Sequence, residues 1–411
     1  MTNQNQHTPR TWLTSRRLRA HGFILAVCLW SLYAWNFSTT GLRDRSGNLK
    51  GTDFLHFYTL GSIALAHDGG DLYDANAQAS IAAWRVPQAA GIQYLPLYPP
   101  QLSIFFAPFA LLLYGRALAV WLALNAIIYG ICCSAVWQSC SNLRDEGLTV
   151  LLLALAFPGL FHLIAWGQTS GLALLCFTSA FLFLRDRRDF LAGIALGCLI
   201  FKPQLGLAAA FVFVLTGAWK VVGGAILSAA AQIALGFLYY GRTAIREWIH
   251  VLVRVRDVLP LLEPKPYQTH SLRTFWTMLL PWPGAAFFLY VLSATLVVGL
   301  TVGLWQRRRN APLALRYSAL LFATVLIAPH LTIYDLVILA PAFLLLADWL
   351  LSQPFSRKVH RFGGILYLAF VLPLLGPLDT WTHVQLSVVA MAAVLVLIWQ
   401  YTSRLTAPVT S

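Results

Sequence analysis

The sequence predicts an all-α, polytopic membrane protein, and three observations predict it. Of its 411 residues, 58% are hydrophobic and only 11% charged, with a mean hydropathy of +0.67; ordinary soluble domains carry about a quarter charged residues. The apolar residues also fall into runs of roughly twenty, and inside a bilayer such runs must be helices, because every backbone N–H and C=O there needs an internal partner. Finally, the net charge of +14, from 29 Lys and Arg against 15 Asp and Glu, sits largely in short connections and the N-terminal tail, as the positive-inside rule expects. That distribution argues against nucleic acid as a partner. The six Cys (28, 132, 133, 140, 176 and 198) form no Cys-x-x-Cys pair and read as apolar packing residues.

Taken in order, residues 1–20 form a cytoplasmic basic tail with Arg10, Arg16, Arg17 and Arg19. The run from Phe23 lacks a small-residue cleavage site, so 21–38 reads as a first span rather than a signal peptide. A single membrane domain then occupies 21–402, with a cytoplasmic tail at 403–411. Residues 39–98 make a first outer polar segment. Within it, Phe54, Phe57, Tyr58, Gly61 and Leu65 share one helical face, which predicts an interfacial amphipathic helix over 53–66 with its aromatics in the headgroup layer. Three apolar stretches follow, at 102–114, 117–137 and 148–166. The later charges require an even number of crossings here, so one stretch is expected to be re-entrant. Further spans are expected at 169–184, 191–201, 205–217, 221–240, 285–305, 313–328, 333–350, 362–376 and 384–401. A second outer polar segment lies at 241–283, and a basic inner loop at 352–361. The total is about twelve transmembrane helices. No internal repeat is visible, which weakens a carrier reading.

Several short motifs recur at the outer ends of these spans: Thr-Asp-Phe-x-x-x-Tyr at 52–58, Asp-Leu-Tyr-Asp at 71–74 and Tyr-Pro-Pro-Gln-Leu at 98–102. Later come Trp-Gly-Gln-Thr-Ser-Gly at 166–171, Phe-Lys-Pro-Gln-Leu at 201–205, His-Ser-Leu-Arg at 270–273 and Pro-His-Leu-Thr-Ile-Tyr-Asp at 329–335. In order and placement this set resembles the family 87 glycosyltransferases, polyprenol-phosphate-mannose-dependent enzymes of the GT-C fold. The chain departs from that pattern at Thr169, where Asn is common, and at His270, where Asn or Gln is common. The resemblance implies an inverting transfer of a hexose, mannose in the family, from a polyprenyl-phosphate donor to a hydroxyl of a lipid or glycan acceptor. It places the reaction at the outer face of the cytoplasmic membrane, with membrane lipids as the surroundings.

Such a reaction needs a base for the attacking hydroxyl and donors for the leaving phosphate. Asp53 is the candidate base. By sequence alone it is equally a cap at a helix N-terminus, and the family motif favours catalysis. Lys202, in an apolar stretch before Pro203, is a candidate phosphate contact or a Lys that snorkels to the interface. Arg273 can grip two phosphate oxygens, or can simply meet lipid headgroups beside Arg242, Arg246, Arg254 and Arg256. His330 stands at the family's late phosphate position; as a lone His it is equally a structural hydrogen-bonder. Asp335 is an acid within a span, functional by default, expected to orient His330 or bind sugar hydroxyls. Gln168 is a sugar contact or a helix cap, and His270 a weaker donor-site candidate. His56, Tyr58 and Tyr98 are candidates for stacking on the acceptor or sugar. No metal-ligand spacing stands out, so no metal or other cofactor is expected. Two other readings stand beside this one: a ligase-type transferase using a lipid diphosphate, and a non-enzymatic lipid or solute transporter.

Overall fold

In the computed structural model, residues 13–254 and 265–405 are described; Arg10, Arg256 and the tail beyond 405 lie outside the described residues. Within that range the chain is helical, with two isolated bridges and no strand. Helix α1 (Ser15–Phe37) begins ahead of its apolar run because Thr14 caps it, accepting from the Arg17 N–H. Its polar first turn is also held laterally: Arg19 reaches Glu146 and Thr149.

Helix α2 (Thr52–Leu65) forms where a helix is expected, but its aromatics do not enter a headgroup layer. Every residue from Phe54 to Gly61 is buried in protein. After α3 (Ala75–Arg85), helix α4 (Pro100–Ala110) packs along α2, where Gly61 admits the α4 backbone at Phe106. Phe54 and Phe57 stack among Phe106, Phe109 and Trp121, the last from α5 (Tyr114–Trp137). The large apolar face predicted from periodicity is therefore satisfied by α4 and α5 rather than by lipid. With eleven residues, α4 spans about 16 Å, too short for a hydrocarbon core of about 30 Å.

Helices α6 (Gly147–Leu155) and α7 (Pro158–Trp166) form one apolar stretch bent by 45°, with Pro158 starting the second piece. There follow α8 (Ser170–Arg185), α9 (Asp189–Gly197) with a 3-10 turn at Cys198–Phe201, α10 (Pro203–Leu215) and α11 (Trp219–Val253). The first part of the second polar segment is helical. Helix α11 runs on to Val253 through a break at Gly241, where φ is 78°, and buries Ala244 and Trp248 against the first polar segment. The rest is α12 (Leu272–Leu279), α13 (Pro283–Arg307), α14 (Leu313–Ile327), α15 (Ala340–Leu351) led in by a 3-10 stretch Ile333–Leu339, α16 (Arg357–Val371), α17 (Gly376–Thr382) and α18 (Leu386–Leu405). From Tyr317 to Ile327 every residue of α14 is buried, which makes it a central post of the bundle.

Seven segments among the described residues are long and apolar enough to cross a bilayer, and taking the bent pair as one span gives eight. Four shorter apolar helices remain, at 170–185, 189–201, 203–215 and 313–327; the longest reaches about 24 Å. A total of twelve is reached only by taking each of the four as a crossing.

Helices α9 and α11 approach through glycines. A Cβ at Gly193 would collide with the Val221 carbonyl, one at Gly197 with the Ala225 carbonyl, and one at Gly224 with the Phe190 carbonyl. Lipid tails are as apolar as Leu, so such close backbone packing is a main source of helix–helix attraction in a membrane. Gly193→Ala is expected to cost about 1–3 kcal/mol by overpacking, read as a lower melting transition in detergent. Gly206→Ala, whose Cβ meets nothing within 4 Å, is expected to leave that transition unchanged or raise it.

Candidate active site

The α1–α2, α7–α8, α9–α10 and α14–α15 connections lie at one end of the bundle, and they bring together acids, amides and cations that are distant in sequence. Asp53 stands in the first turn of α2. The chain before it is pinned by the Tyr114 hydroxyl, which donates to the Lys50 and Gly51 carbonyls at 2.8 Å, and by the Tyr94 hydroxyl on the Thr52 carbonyl. The Asp53 carboxylate makes no hydrogen bond to its own helix's amides. Its Oδ2 accepts from Gln168 Nε2 at 2.9 Å. Helix capping therefore does not account for it.

Gln168 is aimed by its turn. Gly167 ends α7 in the left-handed region, φ 71°, and a Cβ there would press on Phe54 Cβ at 2.8 Å. Only glycine allows the turn to sit this close to the start of α2. Trp121 Nε1 donates to the Gly167 carbonyl at 2.9 Å and Asn125 to that of Gln168 at 3.3 Å. The Gln168 Oε1 accepts the Thr169 N–H at 2.9 Å, which fixes the amide so that its NH₂ faces Asp53.

Lys202 does not snorkel. It stands between the 3-10 turn and Pro203, outside both helices, and is only 4% exposed. Its Nζ donates to Asp335 Oδ1 at 2.8 Å and to Ser170 Oγ at 2.9 Å, and lies 4.9 Å from the centre of the Tyr334 ring. Ser170 donates to the same Asp335 oxygen at 2.6 Å. The other oxygen, Oδ2, takes the Thr332 N–H at 3.2 Å in a capping box. Asp335 is thus the counter-ion of Lys202 and the cap of the stretch that carries it. Neither expected role, orienting His330 or meeting sugar hydroxyls, describes its bonds. Lys202 and Asp335 both act electrostatically on Asp53, in opposite senses.

Burial pushes the Asp53 carboxyl up from 3.8 to about 6; the Gln168 hydrogen bond and Lys202 pull it down, and Asp335 pushes it further up. The residue as a whole is half-buried, deep among protein atoms yet not sealed off. Tyr98 joins the group: its hydroxyl interacts with the side chains of Gln168 and Thr169 and lies in the field of Asp53. His56, one helical turn from Asp53, stacks on Tyr94 at 4.8 Å and meets Tyr98 edge-on at 5.4 Å, with Nε2 buried and unpartnered. Burial lowers its pKa to about 3, so the ring is neutral.

The remaining predicted residues divide. Arg273 donates to the Pro329 carbonyl at 2.8 Å, which holds α12 against the loop bearing half-buried His330. His270 is fully buried on the same loop: its N–H reaches the Leu331 carbonyl at 3.3 Å and its ring meets Ser387 at 2.8 Å. Burial holds its pKa near 3, and a neutral, enclosed ring offers no charge to a phosphate. Tyr58 is not at the site. It lies on another face of α2, its hydroxyl donating to the Leu112 carbonyl and accepting from Arg85. The sequence reasoning passed over Ser170, Tyr94 and Tyr334. Ser170 and Tyr334 lie within quoted motifs, but nothing in the spacing told which of a motif's polar residues turns inward.

The sequence model of glycosyltransferase family 87 matches residues 97–329, more than half of the chain. The chain belongs to glycosyltransferase family 87. No curated protein and no solved structure matches it. Family membership makes the protein a membrane glycosyltransferase and sets aside the transporter reading. The match takes in Tyr98, Gln168, Ser170, Lys202, His270 and Arg273; Asp53, His330 and Asp335 lie outside it.

Removing one partner of the buried pair leaves the other charge uncompensated. Lys202→Met is expected to lower stability by about 3–5 kcal/mol, and Lys202→Met combined with Asp335→Leu to recover most of it; denaturant or thermal unfolding of the three proteins checks this. Gln168→Leu removes a bond that favours the Asp53 carboxylate. The apparent pKa of an Asp53-dependent activity is expected to rise above about 6, measured as the acid limb of kcat/KM against pH.

Proposed function

We propose that this family 87 enzyme transfers a hexose, mannose by resemblance to its family, from a polyprenyl-phosphate donor to a hydroxyl of a lipid or glycan acceptor. The observation that carries the reading is the half-buried Asp53, its carboxylate held by Gln168 and lying near Tyr98, at the bundle end where Gln168, Lys202 and Asp335 also meet. Asp53 takes the proton of the acceptor hydroxyl as its oxygen bonds to C1. The bond from C1 to the phosphate oxygen breaks, its electron pair leaves with the polyprenyl phosphate, and the configuration at C1 inverts. A base poised near pH 6 is ionised at neutral pH and still basic enough to share the proton in the transition state.

The leaving phosphate needs donors at the rim. Arg273 and His330, drawn together by the 329–332 loop, are the best placed to supply them. Lys202 has its charge matched by Asp335, so its part in this reading is to fix the inner wall of the site and to tune Asp53 rather than to grip phosphate outright. His56, flanked by two tyrosine rings, would border the acceptor side. The domain is taken as a single GT-C unit over 21–402 with this end on the extracytoplasmic side of the cytoplasmic membrane, in keeping with the Arg and Lys clusters at the opposite helix ends.

The test is transfer of label from radiolabelled polyprenyl-phosphate mannose into a membrane-lipid extract by the purified protein. Asp53→Asn is expected to lower transfer by about 10²–10⁴-fold. Its stability should move the other way. The pKa of Asp53 is raised on folding, so the charge opposes the fold wherever it is ionised; the favourable contribution is complete below about 3.8 and is lost as pH rises through about 6. At pH 7 the Asn variant is therefore expected to melt no lower than wild type. Full transfer by a folded Asp53→Asn protein would remove Asp53 as the base, and no transfer from any lipid-phosphate sugar would overturn the donor.

A further inference from the structure

We propose that the end of the bundle remote from Asp53 holds a binding site for one acyl chain of an anionic phospholipid. A cavity of about 430 Å³ lies there between α1, α5, α6, α15 and α16. None of Asp53, Gln168, Lys202, Asp335 or His330 borders it. Its inner end is closed by Phe157, Phe343 and Phe370, whose rings pack mutually at 5.4–5.6 Å. Its walls are mainly aliphatic, with Val150, Leu153, Leu344 and Leu366 among them. The volume is many times the ~30 Å³ of a water molecule, and a cavity so lined offers water too few partners. An apolar chain suits it.

The mouth says which lipid. Polar groups lie at the outer edge, and the acid among them is already satisfied: Glu146 is held by Arg19 at 3.0 Å, Ser15 at 2.8 Å and Thr149 at 2.6 Å. Next in sequence to the lining residues Ser15, Leu143, Val359 and His360 come Arg16, Arg144, Arg357, Lys358 and Arg361, all exposed, with Asp145 an exposed acid among them. Such a cluster attracts anionic headgroups at about 1 kcal/mol per cation near a membrane surface. Leu351 and Phe355 are 56% and 59% exposed beside the opening, placed to meet the chain as it enters. The other occupant the protein could supply is its own residues 1–12, which run directly into Leu13 at the mouth; they are polar but for Met1, Pro9 and Trp12 and match the walls poorly.

The test uses the full chain in detergent with phosphatidylglycerol or phosphatidylcholine carrying a diazirine in the same acyl chain. After illumination, labelled peptides are mapped. Phosphatidylglycerol is expected to label segments 143–157 and 343–366 at least about tenfold more than phosphatidylcholine. Ala347→Phe, which fills the wall, is expected to abolish that labelling while keeping the melting transition. Ala154→Leu takes its place should Ala347→Phe fail to fold. Replacing Arg357, Lys358 and Arg361 by Gln is expected to erase the headgroup preference. Equal labelling by the two lipids, labelling unchanged by a folded cavity-filling variant, or labelling that appears only after residues 1–12 are removed would each overturn the site.

Discussion

Much of the reaction end depends on one buried ion pair. Lys202 and Asp335 are almost fully enclosed, and a charge placed in such surroundings is tolerated only when it is paired and its remaining hydrogen-bonding positions are filled. Here they are. Ser170 bridges the two, the Thr332 N–H takes the second carboxylate oxygen, and the Tyr334 ring covers the ammonium. The pair ties the α9–α10 turn to the start of the 333–339 stretch, and Ser170 adds the first turn of α8. The same α7–α8 turn then presents Gln168 to Asp53. One desolvated contact thereby links four connections and reaches the candidate base through a single intervening turn.

Glycine makes this closeness possible at the decisive point. Gly167 holds a backbone conformation that other residues resist, and it leaves no side chain between the turn and Phe54. Tightness has a cost for Asp53, whose charge is poorly solvated, and Gln168 and Lys202 offset part of it. A carboxyl so balanced is ready to exchange a proton near neutral pH, whereas a fully hydrated Asp is too weak a base. The arrangement separates groups along the chain: an inner ion pair that shapes the site, a carboxyl poised for proton exchange, and an outer rim of Arg273 and His330 that stays nearer the surface.

Legibility varied by residue. Asp53, Gln168, Lys202 and Tyr98 could be picked out because each polar residue breaks an apolar or aromatic context at a predicted membrane end, and the fold does bring them together. Tyr58 and His270 look the same by that criterion, yet Tyr58 turns toward Arg85 and His270 toward Ser387. Asp335 stands out as an acid within a span, but spacing points to His330 five residues before it and nothing local points to Lys202, 133 residues away. The amphipathic face of α2 was read correctly as apolar and assigned to lipid. Periodicity reports that a face is apolar, and it does not report what covers it.

By itself the sequence determined the class: low charge and long apolar runs leave helices across a bilayer as the sole solution for the backbone, and the ordered motifs identified the family. It also determined that acids and cations gather at span ends. Tertiary structure decided that α4 packs along α2, where α11 stops, and that Lys202 pairs inward instead of reaching for solvent. Those outcomes rest on contacts between distant segments, namely α4 against α2, α11 against the first polar segment, and Asp335 against Lys202. Local propensity is blind to them because the desolvation and packing energies that select them exist only once the helices are assembled.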